Sequence, residues 1–283
     1  MSARTISHGE HDDGRLTVAT LNTRGVPMVG SNLPERFAAI ADSFEASDID
    51  VVSFQEVFTY WHLTLLARRM RSFSGVSYRR SPIGPAGGLV TFSRSPVVAS
   101  SYRGLGLPQR TPGVSRLTRA RAWLKGSLAT RLAYRGLCIV NTHPVANRDG
   151  DWSETGRFFT LHRDQLASLS EFVRSATTPV VVCGDFNVDR DSPLFNHFLA
   201  ETKLVDAFDG KCPATFRAEY LGSAGPAHCI DFILTSAQVK AEAARLLLLG
   251  KVAIPSGTEY LSDHVGLSAD MTLMQAKTSD LVC

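Results

Sequence analysis

A chain of 283 residues with 44% hydrophobic side chains can bury a sizeable core as one large domain or two modest ones. No window approaches the roughly 18 unbroken apolar residues of a membrane span. Met1–Arg15 is polar and mixed in charge, unlike a signal peptide, so the protein is expected to be made and kept in the cytoplasm. The five cysteines, an odd number with no CxxC pair, argue against a disulfide framework or a zinc site; Cys138, Cys183 and Cys229 sit in apolar runs and read as buried thiols.

The net charge of +3 conceals an asymmetry. Val57–Arg148 contains no Asp or Glu but fifteen Arg and Lys, which leaves the remainder net acidic. A concentrated positive field suits an anionic substrate. Because 24 of the 30 basic residues are Arg, plain solvation of an arginine-rich surface is the competing reading.

Along the chain, residues 1–15 read as a loosely attached segment. Leu16–Leu21 is strand-like, and Phe37, Ile40 and Phe44 then share a helical face behind Pro34. Asp50–Phe54 is a second strand, followed by a stretch Thr59–Arg71 that Glu56 could cap, and by the strand Gly88–Phe92. Ser95–Arg121, punctuated by Pro, Gly and Arg without periodicity, reads as a long loop region. Strands are expected at Trp123–Leu132 and Leu137–Thr142. A helix bearing Leu161, Leu166, Leu169 and Phe172/Val173 follows, then the strand Pro179–Cys183 and a short helix with Leu194, Phe195 and Phe198. Ile230–Leu234, Leu246–Ile254 and Val265–Leu273 complete the strands, and 276–283 is a tail. No repeat or linker interrupts the pattern. Irregularly interspersed helices indicate an α/β protein with one domain over 16–275.

Several of these runs end in a polar residue suited to chemistry: Asn22, Gln55-Glu56, His143, and Asp185 and Asn187 within Gly184-Asp185-Phe186-Asn187. Asp231 lies inside an apolar strand, where a charge is costly unless paired, and Asp263-His264 precedes the last strand. Singly, each could be a turn former, a helix cap or a satisfied buried histidine. Together they supply what phosphoester hydrolysis needs. Glu56 with Asn22 offers oxygen ligands to a hard cation such as Mg²⁺. His264 held by Asp231 can take a proton from water, and the neutral donors His143 and Asn187 can face developing charge. The GxxxxGK[ST], HExxH, dinucleotide-fingerprint and GxSxG patterns are all missing.

The ordered set Leu21-Asn22, Gln55-Glu56, Thr142-His143, Gly184-Asp185-Phe186-Asn187, Ile230-Asp231-Phe232-Ile233 and Ser262-Asp263-His264 resembles the endonuclease/exonuclease/phosphatase superfamily. That resemblance implies a DNase-I-like four-layer α/β sandwich, two packed mixed β-sheets flanked by helices. It also implies Mg²⁺ on Glu56 with Asn22 and Asp263 nearby, Mn²⁺ being a substitute. His264 matches the general base, Asp231 its orienting partner, and His143 the contact to the scissile phosphate. Asp185 and Asn187 match residues that position nucleophile and phosphate.

Within the superfamily, Asn22-Thr23-Arg24-Gly25-Val26-Pro27, Glu56-Val57-Phe58 and Leu161-His162-Arg163 are most similar to neutral sphingomyelinases, as is Lys125 in its substrate-site position. Ala120 stands where the animal enzymes carry an aspartate. The implied substrate is an anionic phosphoester: first a phospholipid headgroup diester, then nucleic acid, then a small phosphorylated metabolite. No obligate protein partner is evident. A non-catalytic binding module on the same fold is the rival reading, and the presence of every core motif residue speaks against it.

Overall fold

The computed structural model describes residues 15–26, 32–106, 113–221 and 226–274. The expected N-terminal segment up to residue 14, the tail 276–283 and Pro27 of the opening motif lie outside the described residues. In chain order the elements are β1 (Arg15–Asn22), α1 (Leu33–Glu45), β2 (Val51–Gln55), α2 (Tyr60–Ala67), β3 (Gly75–Ser77), β4 (Val90–Ser93) and β5 (Val97–Gly104). There follow α3 (Arg116–Trp123), β6 (Gly126–Leu132), β7 (Cys138–Thr142), α4 (Phe159–Arg174), β8 (Val180–Asp185), α5 (Pro193–Thr202) and β9 (Val205–Asp206). The last are β10 (Asp231–Thr235), β11 (Val239–Leu247), β12 (Val252–Ile254), β13 (Gly257–Glu259) and β14 (Gly266–Leu273).

Two six-stranded mixed sheets form, ordered β11-β14-β1-β2-β4-β3 and β5-β6-β7-β8-β10-β9, beside the small hairpin β12-β13. Strand alternation explains the layering. Ala19, Leu21, Val52 and Phe54 face outward in the first sheet and bury the stripe Phe37, Ile40, Phe44 of α1 with Leu63 and Leu66 of α2. On the second sheet α4 and α5 bury Leu166, Leu169, Leu194, Phe195 and Phe198. The architecture is the four-layer DNase-I-like sandwich of two sheets flanked by helices.

Between the sheets the inward residues turn polar toward one end. Gln55 Nε2 donates to Thr20 Oγ1 at 3.0 Å and, across the interface, to Asn141 Oδ1 at 2.8 Å. Asn141 Nδ2 in turn donates from β7 to Phe54 O at 3.0 Å and Val90 O at 3.1 Å in the opposite sheet. A fully buried amide pair thus joins the two sheets where an apolar core would not specify their relative register.

Three expected elements differ. Ser95–Arg121 is not a continuous loop: it holds β5 and most of α3. β5 is an edge strand whose central residues are exposed, and α3 buries only Ala122 among its own residues, so neither presents a buried apolar stripe. Trp123 ends α3, and the next strand begins at Gly126. Leu246–Ile254 is split between β11 and β12. Thr59, not Glu56, caps α2, its hydroxyl accepting from His62 N at 3.1 Å.

Removal of the intersheet amide tests its weight. Asn141→Ala leaves two buried carbonyls without that donor and should lower the unfolding free energy by about 2–4 kcal/mol. Urea titration should show a lower midpoint at unchanged slope; a shift of less than about 1 kcal/mol would make the network dispensable.

Candidate active site

The polar end of the sheet interface is where the site assembles. β1 and β2 run parallel with Asn22 opposite Gln55, and β7 and β8 run parallel with Thr142 opposite Gly184. β10 runs antiparallel to β8, which sets its first residue, Asp231, opposite Asp185. Five strand ends therefore deliver Asn22, Glu56, His143, Asp185 and Asp231 to one edge. Gly184 is required there: at φ 141° its backbone lies so close to β7 that a Cβ would come within 2.1 Å of Thr142 O.

Asp185 is the hub. It is 1% exposed, and its Oδ2 accepts from Asn22 Nδ2 at 2.9 Å. The same oxygen lies 3.4 Å from His143 Nε2 and 3.8 Å from His264 Nε2. Its Oδ1 accepts the Asn187 N–H at 2.8 Å, a local turn that holds Asn187 at φ 52°. Asn187 is fixed further by Nδ2 on Pro144 O and by Trp152 Nε1 donating to its carbonyl. Burial alone would raise the Asp185 carboxyl, but His264, His143 and Asn22 together hold it well below the usual range.

His264 Nδ1 donates to Asp231 Oδ2 at 2.8 Å. Thr215 Oγ1 steadies the start of β10 by accepting from Ile230 N and Asp231 N. Burial and the nearby Asp185 raise the Asp231 carboxyl against the pull of His264. For His264, burial works downward, but the Asp231 and Asp185 carboxylates outweigh it and raise the imidazole to about 10. The two carboxylates therefore favour the charged form of the ring in this arrangement.

On the other side Lys125 Nζ lies 3.0 Å from each ring nitrogen of His143. Nε2 of His143 also faces Asp185 Oδ2, at 3.4 Å. Burial and Lys125 lower the His143 imidazole, which is neutral. Loss of solvent brings Lys125 down to about 8, against the upward pull of Glu56 and Asp185. Lys125 thus reaches the site rather than ending in solvent.

Glu56 occupies the left-handed region at φ 64°, a conformation rare outside glycine that costs of order 1–3 kcal/mol. The strain is held by Thr23 N on Gln55 O, by Val57 N on Gly88 O, and by Gly25, where a Cβ would fall 2.1 Å from Glu56 O. No hydrogen bond among the described residues ends on the Glu56 carboxylate. Asp263 Oδ2 is 3.7 Å from Arg24 Nε. Among the described residues, the acidic and histidine side chains that come together as a group of three, with ligand atoms all within 4.8 Å of one another, are Asp185, Asp231 and His264, a group that omits Glu56 and Asp263.

Sequence reading missed the residues that hold these loops. Arg36 on α1 is fully buried and donates to Thr23 O, Arg24 O and Leu261 O. Arg217 takes Ser262 O with Nε and Asp263 O with its own N–H. On α4, His162 Nε2 donates to Val145 O at 2.7 Å while Gln165 Oε1 accepts Val145 N at 3.0 Å. Gln165 Nε2 also reaches Ala122 O, three residues before Lys125. The available signal was a polar residue on an apolar helix face: Arg36 precedes Ile40 by four positions, and His162 and Gln165 flank Leu166 and Leu169.

The sequence matches the Endonuclease/Exonuclease/phosphatase family over residues 19–264. The chain belongs to that family. Its members hydrolyse phosphoester bonds. The chain is 25% identical to nocturnin of Mus musculus over 268 residues, covering 87% of this chain and 60% of the relative. It is 23% identical to a neutral sphingomyelinase-like protein of Drosophila melanogaster over 274 residues, covering 92% and 61%. The chain therefore spans about three fifths of the curated relatives it matches. Among solved structures, D. rerio TDP2 complexed with single-strand DNA product has a TM-score of 0.68 at 16% identity, covering 92% of this chain and all of that one. At such identity the likeness bears on the fold.

The buried clamp on Val145 has a pH signature. Burial lowers His162 from the ordinary 6.5 to about 4. The unfolded chain thus takes up the proton first as pH falls, so this contribution to stability is complete above about pH 6.5 and drains away toward pH 4. Wild type should lose about 2–3 kcal/mol more than His162→Gln between pH 7.5 and 4.5. Denaturant titrations at both pH values measure it; parallel losses would show that His162 titrates normally.

Proposed function

We propose that the protein is a Mg²⁺-dependent phosphodiesterase in which water attacks phosphorus in line and the Asp231–His264 pair takes its proton. The observation that carries this is the buried file Asp231–His264–Asp185–His143–Lys125, linked to the opposite sheet through Asn22. Asp231 accepts from Nδ1–H and so fixes the ring, leaving Nε2 as the atom that exchanges the proton. Asp185 and Asn187 position water and phosphate. Neutral His143 donates to, and the Lys125 ammonium faces, negative charge developing on the phosphoryl oxygens. Lys125, His143 and Asn187 form the substrate contacts.

The residues fit a hard cation. Glu56, with Asn22 and Asp263, offers the oxygen donors that Mg²⁺ or Mn²⁺ takes, and its carboxylate, carried on a strained backbone and without a hydrogen-bond partner among the described residues, is a reasonable ligand. The tighter group of Asp185, Asp231 and His264 fits less well, since the imidazole Nδ1 and Asp231 Oδ2 are already engaged with each other. When bound, the ion supplies positive charge that neutralises phosphoryl oxygens and offsets the carboxylates that favour the charged form of His264.

The first substrate is a phosphodiester of phospholipid-headgroup type, supported by the similarity to the Drosophila sphingomyelinase-like protein along 92% of the chain. Nucleic acid is the second reading, favoured by the likeness to TDP2 bound to a DNA product. Among the described residues no helix is long and apolar enough to cross a membrane.

Phospholipid headgroup diesters, DNA, RNA and phosphomonoesters assayed with Mg²⁺ and Mn²⁺ test the reading. His264→Ala should abolish turnover, and Asp231→Asn should lower it by about 10²–10⁴. Glu56→Gln should weaken metal binding in calorimetry with the fold intact; an unchanged affinity removes Glu56 from the site. Lys125→Ala should slow every accepted phosphoester by about 10–100-fold without a change in melting temperature, and a wild-type rate would sink its role.

A further inference from the structure

α3 is amphipathic in the wrong sense for a helix of a globular core. Within it only Ala122 is buried, whereas Leu117 and Trp123, with Leu124 just beyond, are 62%, 59% and 60% exposed. Leu117, Ala120, Arg121 and Leu124 fall on one face at helical spacing, with Arg116 and Trp123 beside it. All six of these residues apart from Leu124, which caps the helix, lie within α3, and all are exposed. The result is an outward face carrying Leu117, Trp123 and Leu124, interrupted by Arg121 and edged by Arg116.

Two further exposed apolar side chains are Ile83, in the segment joining β3 to β4, and Trp61, in the first turn of α2. A side chain at Gly87 would meet Leu124 O at 3.5 Å, so the segment joining β3 to β4 abuts the end of α3. That segment carries Arg79, Arg80 and Ile83, which is 74% exposed, and Ile83 O accepts Tyr60 N beside the half-exposed Trp61. Lys125, which follows this face directly, has its ammonium on His143. Isolated exposed apolar residues need no explanation, but a cluster rimmed by charge beside a catalytic mouth does.

We propose that this face, Leu117, Trp123 and Leu124 with Ile83 and Trp61, docks on the surface of an anionic phospholipid bilayer and brings lipid headgroups to the Lys125 edge of the site. The proposal rests on the phosphodiesterase reading. The occupant follows from chemistry: aliphatic side chains and tryptophan need a hydrocarbon or interfacial environment, and the arginines between them need negative charge. An anionic bilayer offers both at one depth, with tryptophan at headgroup level. A nucleic acid offers phosphate and stacking but no place for Leu117, Leu124 and Ile83. Neither α3 nor the segment joining β3 to β4 contains an acidic residue of its own.

The test compares the full chain with Leu117→Ser/Trp123→Ser, both positions being more than half exposed so that the fold should hold; equal melting temperatures check this. Co-sedimentation is measured with vesicles of phosphatidylcholine alone and with about a third phosphatidylserine. Wild type should partition onto the anionic vesicles, less so as salt rises, and the double variant roughly tenfold or more weaker. Both should hydrolyse the water-soluble diester bis(4-nitrophenyl) phosphate equally, while the variant alone loses rate on vesicle-borne phospholipid. Equal partition of the two proteins, or no partition of wild type, overturns the docking face. Loss of single-strand DNA binding in the variant with vesicle binding unchanged assigns the face to nucleic acid and overturns it too. Failure of wild type on the soluble diester would instead strike the phosphodiesterase reading, because partition is measured without turnover.

Discussion

One buried negative charge organises this molecule. Asp185 sits at the end of a central strand with 1% of its surface exposed, where an isolated carboxylate would cost several kcal/mol. Everything that satisfies it comes from elsewhere in the site: an amide from the first sheet, two imidazoles from different loops, and the main chain of Asn187. Because Asn22 and Asp185 belong to opposite sheets, the compensation of that charge also fixes how the sheets meet. The intersheet contact of Gln55 with Asn141 does the same one layer deeper without charge. Stability and site geometry therefore share the same hydrogen bonds.

The loops that project these groups are gripped through their backbones. Leu261 O, Ser262 O and Asp263 O each accept a donor from Arg36 or Arg217, and Ser262 Oγ donates to Asn22 O at 2.6 Å. The segment entering His264 is thus tied to the segment leaving β1. Val145, just past His143, has both its N–H and its carbonyl held by α4. Guanidinium suits this task because its planar fork meets several carbonyls at once. Arg94 does likewise for the turn after α1, donating to Ser47 O and Ile49 O while lying over the Phe73 ring.

Much of this was legible in the sequence, for a physical reason. Strand-sized apolar runs ending in Asn22, Glu56, His143 and Asp185 state both the strands and the edge at which they stop, since alternation leaves the last inward residue at the mouth. Buried Asp231 announced a partner, and the partner lies 2.8 Å away. What was not legible concerns elements whose burial is slight or whose polar groups face inward. β5 is exposed along most of its length and α3 is apolar on its outer side, so a periodicity argument reads both as loop. Arg36, His162 and Gln165 act on carbonyls and amides of distant loops, and backbone partners leave no mark on residue type at the other end.

The acid-free stretch shows why composition misleads about electrostatics. Its charge does not form an unbroken positive rim. Arg69 pairs with Asp42 and Arg103 with Glu171, both acids lying outside the stretch, while Arg94 serves main-chain carbonyls. Folding spends these cations locally, and exposed pairs of this kind contribute little to stability. Lys125 is different, because its ammonium has lost solvent and faces Glu56 and Asp185 across His143. A charge kept in place by two carboxylates that are themselves needed elsewhere is one an anionic substrate can recruit. In the proposed substrate complex a phosphate at Lys125 would compensate an ammonium already deprived of solvent, whereas at Arg103 it would first have to displace Glu171. The number of basic residues in the stretch therefore overstates the positive charge that folding leaves unpaired.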